Sequence, residues 1–151
     1  MNKFLVFAII AFLTHWSSAA EIADIDYSKL DYKKVKIGDS SNNIKKVFNV
    51  NLRYVHKTRG VDEQEFNKKL IVWSYQKRII QYRILLDFEG KIPFWTWAER
   101  LTKYKKADFV IVKRGEESKY ISKDGKVELI ANPAVLDILY KPSIRKVGEQ
   151  D

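Results

Sequence analysis

The sequence predicts an α+β domain in which a helical hairpin and a short C-terminal helix pack on one face of a small, mostly antiparallel sheet. Residues 48–54 alternate between apolar and polar side chains, as a half-buried strand does. Residues 66–88 contain no glycine or proline and carry apolar side chains at helical spacing. Residues 108–131 hold short apolar runs between glycine-containing turns. Because strands and helices are segregated along the chain, the helices should cover one face of an antiparallel sheet.

The first 20 residues have the three parts of a secretory signal. Lys3 supplies a positive start, residues 4–13 form an unbroken apolar run, and residues 17–20 are small, as cleavage requires. A bilayer span takes roughly 20 apolar residues, so an uncleaved N-terminal anchor is the weaker alternative. We expect cleavage after Ala19 or Ala20, a periplasmic or secreted protein, and no transmembrane segment after cleavage.

The rest of the chain predicts one globular domain. Residues 21–30 are acidic and weakly patterned, which is typical of a flexible lead. Residues 31–142 are enough chain for one domain with its own core. Residues 143–151 contain the basic pair Arg145 and Lys146, and we expect them to form a frayed basic tail.

The N-terminal half predicts two strands and then a long helix. Residues 32–37 read as a lysine-rich edge strand, and residues 48–54 as the clearest strand. Asp62 and Glu65 have the spacing of a capping box, so the helix should begin there and run to residue 88. Two strands are the competing interpretation, because residues 80–88 also alternate. The absence of a turn signal within residues 66–88 favours the helix.

The C-terminal half predicts a second helix, a meander of three strands and a closing helix. Pro93 suits a helix start, so residues 94–106 should complete the helical hairpin. Residues 108–113 predict a strand, and the Asp124-Gly125 pair predicts a hairpin turn. Asn132, followed by proline, then predicts a short helix that ends at residue 140.

Two tryptophans of the second helix should face different ways. At about 100° per residue, Trp97 shares one stripe with Phe94 and Leu101, so Trp97 should be core. Trp95 lies roughly 100–120° from the centre of that stripe. It either closes the fold or stands at a recognition surface, where tryptophan beside basic residues is typical of a binding hot spot.

The chain offers little catalytic chemistry. It has no cysteine, which excludes disulfides, thiol catalysis and a lipoprotein anchor. Once the signal is removed it has one histidine, His56, which disfavours a zinc site. We therefore expect no cofactor and no metal. The remaining enzymatic alternative is a carboxylate-dependent hydrolase that uses Asp87 and Glu89 on a metal ion, or Glu99 as a glycosidase acid.

The charge and the rings predict a binding protein. The net charge is +9, and loss of Lys3 leaves 27 basic and 19 acidic residues, so an acidic partner is expected. The preferred function is a non-enzymatic domain that engages another macromolecule: an envelope or secretion-machinery component, or an inhibited target. The alternative is charge-driven binding of an anionic envelope polymer or lipid headgroups, and export disfavours nucleic acid. The candidate binding residues are Trp95, Arg100, Lys103, Lys113, Arg114 and Lys119.

Overall fold

The structure is a computed structural model that describes residues 30–48, 52–66, 69–86 and 92–148. The predicted signal sequence lies outside the described residues, as do Asp87 and Glu89. The strands are β1 (Leu52–Thr58), β2 (Val61–Phe66), β3 (Leu70–Tyr75), β4 (Arg78–Leu85), β5 (Phe109–Lys113), β6 (Ser118–Ser122), β7 (Val127–Ala131) and β8 (Val135–Tyr140). The helices are α1 (Ile44–Val47), α2 (Phe94–Leu101) and α3 (Lys141–Gly148).

The strands form one antiparallel sheet in the order β1-β2-β3-β4-β8-β7-β6-β5. The first four strands are one meander and the last four are another, and the two meet where β4 pairs with β8. Among the described strands, this order leaves β1 and β5 at the edges. The predicted class is confirmed: the protein is α+β, with helices packed against an antiparallel sheet.

The core lies between one face of this sheet and two helical segments, residues 32–48 and α2. The rings of Phe48 and Phe66 lie 5.4 Å apart, which joins the first segment to β2. The ring of Tyr32 meets that of Trp97 edge-on at 6.0 Å, which joins it to α2. A backbone hydrogen bond of 2.7 Å from Ile37 N to the carbonyl oxygen of Leu101 fixes the two segments together.

The long helix predicted over residues 66–88 is wrong, because two strands, β3 and β4, occupy this stretch. The turn between them uses Gln76 and Lys77 at φ of 47° and 58°. Two-residue hairpin turns of this kind normally carry asparagine or glycine, so the sequence gives no turn signal here. Apolar residues occur on both faces of these strands, so their spacing along the sequence also fits a helix that is apolar on two sides.

The predicted helix start at Asp62 is likewise a strand. Arg59 and Gly60, both at positive φ, turn β1 into β2, and the acids act across strands rather than at a helix end. Lys57 Nζ lies 3.6 Å from Asp62, and the indole N–H of Trp73 donates to Glu63 at 3.1 Å. Where the sequence predicted a helical hairpin, the structure therefore has a β-meander followed by one helix, α2.

The early strands also differ from expectation. Residues 32–34 form a 3₁₀ turn, and no strand is found over residues 32–37. Val35 and Ile37 belong to the helical layer and are buried against the core, so their alternation reflects packing of an irregular segment. Phe48 closes α1 rather than opening a strand, and β1 begins at Leu52.

The C-terminal meander is confirmed, with the hairpin turn at Asp124 and Gly125, but the short helix predicted up to residue 140 is wrong. Strand β8 lies there. The side-chain oxygen of Asn132 accepts hydrogen bonds from the N–H groups of Ala134 and Val135 at 2.9 and 2.8 Å, which makes an Asx turn. Asn132, which the sequence predicted to cap a helix, therefore stabilises the turn that leads into β8. Arg145 and Lys146, expected in a frayed tail, lie within α3.

Candidate functional site

An open groove of about 580 Å³ lies beside β5, at one edge of the sheet. We call it the β5 groove. It lies on the face of the sheet that carries the core, because Ile111 pairs with Tyr120, and Tyr120 pairs with the buried Leu129. The groove is lined by Trp95, Lys106, Phe109, Ile111, Arg114, Gly115, Ser118 and Tyr120.

Three aromatic rings give the β5 groove its apolar surface. The ring of Trp95 lies 5.0 Å from that of Tyr120 and 5.8 Å from that of Phe109. All three side chains are only partly buried and pack against the edge of the core. Because these three rings lie at the end of the core, each ring covers core residues on one side and contacts solvent on the other.

The short helix α2 determines where Trp95 points. Trp97 is 5% exposed and faces the core with Ala98 and Leu101, so its predicted inward position is confirmed. Trp95 stands two residues earlier, about 200° away around the helix, and packs on β5 and β6 instead. The helix ends at Leu101 rather than at residue 106, and the Thr102 hydroxyl donates to the carbonyl oxygen of Ala98 at 2.6 Å.

Two cations border these rings. The ammonium of Lys106 lies 5.6 Å from the centre of the Trp95 ring, in cation–π contact. Arg114 lines the groove beyond the other end of β5. Within the described part of the chain, neither cation has a carboxylate within ion-pair distance, and no acidic residue lines the groove. An anionic group would therefore meet two uncompensated cations beside an apolar surface.

The strand β5 is unusually apolar for an edge. Val110, Ile111 and Val112 are 48%, 40% and 57% exposed. Edge strands of soluble proteins are ordinarily protected by charges or by a covering element, because their free backbone groups pair readily with another strand. A bulge between Ile111 and Lys113 is the only irregularity in the pairing of β5 with β6.

The structure gathers half of the sequence-predicted binding residues at this edge. Trp95 and Arg114 line the β5 groove. Lys113 ends β5 but does not line the groove, because it pairs with Lys119 across the ladder. Lys106 was not among the candidate binding residues, because its position depends on how the chain leaves α2. Phe109 was not among them either, although the apolar run of residues 109–112, which does not alternate, indicates an unusual strand.

The other three predicted residues lie elsewhere. The guanidinium of Arg100 stacks 5.3 Å from the ring centre of Tyr32. The ammonium of Lys103 pairs with Asp39 at 2.9 Å. Lys119 is on the opposite face of the sheet, where its ammonium pairs with Glu128 at 2.7 Å. Each of these cations is engaged within the fold and none contributes to the groove.

The catalytic alternatives find little support among the described residues. Glu99 accepts a hydrogen bond from the backbone N–H of Lys106 at 3.0 Å, and this bond lowers the pKa of Glu99. A glycosidase acid needs a raised pKa, so Glu99 does not suit that role. Over residues 30–48, 52–66, 69–86 and 92–148, no three metal-ligating side chains of the His, Asp and Glu type converge.

No helix within the described residues is long and apolar enough to cross a membrane. No protein-family model and no curated protein matches the sequence. Among solved structures, the fold resembles an extracellular protein containing an SCP domain from Bacillus anthracis str. Ames, with 10% sequence identity and a TM-score of 0.43. The alignment covers 80% of this chain and 49% of that one, so this chain spans about half of that protein's length.

Proposed function

We propose that this protein is an exported, non-enzymatic binding domain that holds an acidic segment of another protein in the β5 groove. The observation that carries the proposal is the combination of partly exposed rings, uncompensated cations and an apolar strand edge at one place. Binding energy at protein interfaces concentrates in aromatic and arginine residues that are surrounded by weaker contacts. Trp95, Tyr120 and Arg114 provide those residue types here.

Charge supports an acidic partner. Two cations line the groove and no acid does, in a chain whose net charge is +9. Glu116 and Glu117 are exposed in the turn after β5 but are not part of the lining. Opposite charge on the partner would steer encounter and fix register, while the rings would supply contact area.

The test couples capture to a purified partner. The tagged protein is incubated with an envelope extract of the cells that produce it, captured proteins are identified by mass spectrometry, and the acidic ones are purified for titration. Arg114→Glu should reduce the binding free energy of the purified partner by about 2 kcal/mol or more, as for a binding hot spot. Lys146→Glu is the matched control, because it makes the same charge change on α3. Equal weakening by both variants would refute the groove as the docking site.

Charge-driven binding of anionic lipid or polymer is the second candidate, favoured by the net charge alone. Sedimentation with anionic vesicles separates the two. Binding led by charge falls steeply between low and high salt, because ions screen exposed charges within roughly 10 Å at 0.1 M. Docking of rings in a groove keeps most of its affinity. Vesicle binding that Arg114→Glu and Lys146→Glu reduce equally would favour this second candidate.

A further inference from the structure

We propose that the partner binds by strand addition: an extended acidic segment pairs with the outer edge of β5 as a ninth strand of the sheet. The inference rests on the proposed function, since it names how the β5 groove holds its occupant. The same edge presents unpaired backbone groups and the groove side chains, so one extended segment can use both.

The pairing pattern shows which backbone groups face outward. Lys123 N donates to the carbonyl oxygen of Asp108 at 2.9 Å. In an antiparallel ladder, hydrogen-bonded and non-hydrogen-bonded pairs alternate, so Phe109–Ser122 is a non-hydrogen-bonded pair and Val110–Ile121 a hydrogen-bonded one. The C=O group of Phe109 and the N–H and C=O groups of Ile111 therefore point away from β6, toward the free edge. The N–H of Phe109 instead donates to the carbonyl oxygen of Lys106 in the 3₁₀ turn before β5.

The side chains at those same positions face the groove. Phe109 and Ile111 both line it, and a residue of the added strand directly opposite either one has its Cβ about 4.5–5.5 Å away on the same face. Two apolar residues, spaced two apart in the partner, would extend the ring surface. Lys106 and Arg114 lie beyond the two ends of this stretch, so acidic residues belong at both ends of the segment.

The bulge limits how much of β5 can pair. The regular ladder with β6 ends at Ile111, so the added strand can bond the carbonyl oxygens of Phe109 and Ile111 and the N–H of Ile111. The recognised segment is consequently short, and most of its selectivity must come from the side chains in the groove.

Charge disfavours a second copy of this chain as the added strand. The symmetric antiparallel register that uses both outward-facing residues of each copy places Phe109 opposite Ile111 of the other copy. This register carries Lys106 of each copy toward Arg114 of the other. Like charges in facing positions are destabilising, whereas an acidic segment replaces both repulsions with attractions.

The experiment uses a nine-residue peptide with two acidic residues at each end and a central phenylalanine and valine two positions apart. Amide shifts of the isotopically labelled protein locate binding, and fluorescence anisotropy gives the affinity. Methylating the backbone nitrogens of the phenylalanine and valine removes the donors that face β5, and should weaken binding about tenfold or more. Methylating the residue between them is the control and should change affinity by less than about twofold. Reversing all peptide charges should abolish binding.

A protein variant gives an independent check. Ile111→Pro removes an outward N–H and keeps the ladder with β6, and proline is tolerated at edge positions whose N–H faces solvent. Ile111→Pro should weaken binding of the acidic peptide about as much as peptide methylation does. The methylation arm leaves the protein unchanged, so the test does not depend on how this variant folds.

The outcomes separate the inference from the proposed function. Strand addition is overturned if the two methylated peptides bind with equal affinity, or if the acidic peptide shifts no amide signal of β5. In either case the proposed function is retained if Arg114→Glu weakens binding of the captured partner. A concentration-dependent dimer that Ile111→Pro abolishes would assign the edge to a second copy and also overturn the inference. If Arg114→Glu leaves the affinity for the captured partner unchanged, the proposed function itself is refuted.

Discussion

At the scale of single residues, Trp95 and Trp97 are separated by one residue in the sequence but differ in environment. Trp97 is 5% exposed in the core, so Trp97→Ala should lower the free energy of unfolding by roughly 3–5 kcal/mol. Trp95 is partly exposed and keeps its ring contacts at the edge, so Trp95→Ala should cost about half as much or less. Urea melts of both variants measure the difference. Equal costs would mean that Trp95 is core and that the β5 groove loses its main hot spot.

A second residue-scale prediction concerns Asp124 in the β6–β7 turn. Burial alone would raise its pKa, but hydrogen bonds from the Tyr104 hydroxyl (2.5 Å), the Ser122 hydroxyl (2.7 Å) and Lys126 N (3.0 Å) outweigh it and lower the pKa to about 2. A carboxylate with a lowered folded-state pKa stabilises the fold above its unfolded pKa, near 3.9, and loses that contribution as pH falls. Stability of the native protein should therefore drop between about pH 4 and pH 2.

The matched variant is Asp124→Asn, which cannot titrate. Its unfolding free energy should be lower than the native value at pH 6 and should fall less steeply between pH 4 and pH 2. Urea midpoints measured across this range test the assignment. Parallel pH curves for the two proteins would show that other carboxylates govern acid unfolding.

At the scale of elements, the turns decided what the sequence could predict. Asp124 and Gly125 are a recognisable hairpin signal, and the hairpin between β6 and β7 was predicted from them. Gln76 and Lys77 make a two-residue turn in which both residues have positive φ, a conformation that these residue types disfavour, and there a helix was predicted. The neighbouring apolar residues fit either structure, so the missing turn signal alone decided in favour of the wrong element.

The strained turn carries a prediction of its own. Lys77 sits at φ 58°, where glycine is free of the steric cost that other residues incur. Lys77→Gly should therefore raise the free energy of unfolding by up to about 1 kcal/mol. Gly60→Ala is the opposite control at φ 76°, with the Tyr75 ring 3.4 Å from the added Cβ, and should destabilise. A loss of stability in Lys77→Gly would show that the turn is not strained.

At the scale of the whole molecule, the candidate site depends on the sheet order. Trp95, Lys106, Phe109 and Tyr120 come from α2, the turn after it, β5 and β6, and they meet only because β5 lies at the sheet edge beside α2. The sequence indicated rings and cations in this part of the chain. It could not indicate which cations the fold would engage, and Lys103 and Lys119 are both paired across distances that local pattern does not show.

The last prediction concerns how the two meanders are joined. Strands β4 and β8 form the seam, where Arg83 Nε donates to the Asp137 carboxylate at 2.8 Å on the open face. On the core side, Tyr82 faces Ile138 across the same seam, and both are fully buried. Because α2 also contacts the first segment through Tyr32 and Trp97, the two halves share one core. We expect a single unfolding transition, with tryptophan fluorescence and far-ultraviolet circular dichroism coinciding.

Ile138→Ala tests this coupling where the two meanders meet. It should lower the free energy of unfolding by roughly 2–5 kcal/mol while the two probes still report one transition at a lower urea concentration. Val35→Ala, in the helical layer away from the seam, is the control for simple loss of buried volume. If Ile138→Ala splits the melt into two transitions and Val35→Ala does not, the halves are separate folding units that the seam merely holds together.

Chelator and reductant should leave the native midpoint unchanged, because the chain has no cysteine and its core is built from apolar contacts across this seam.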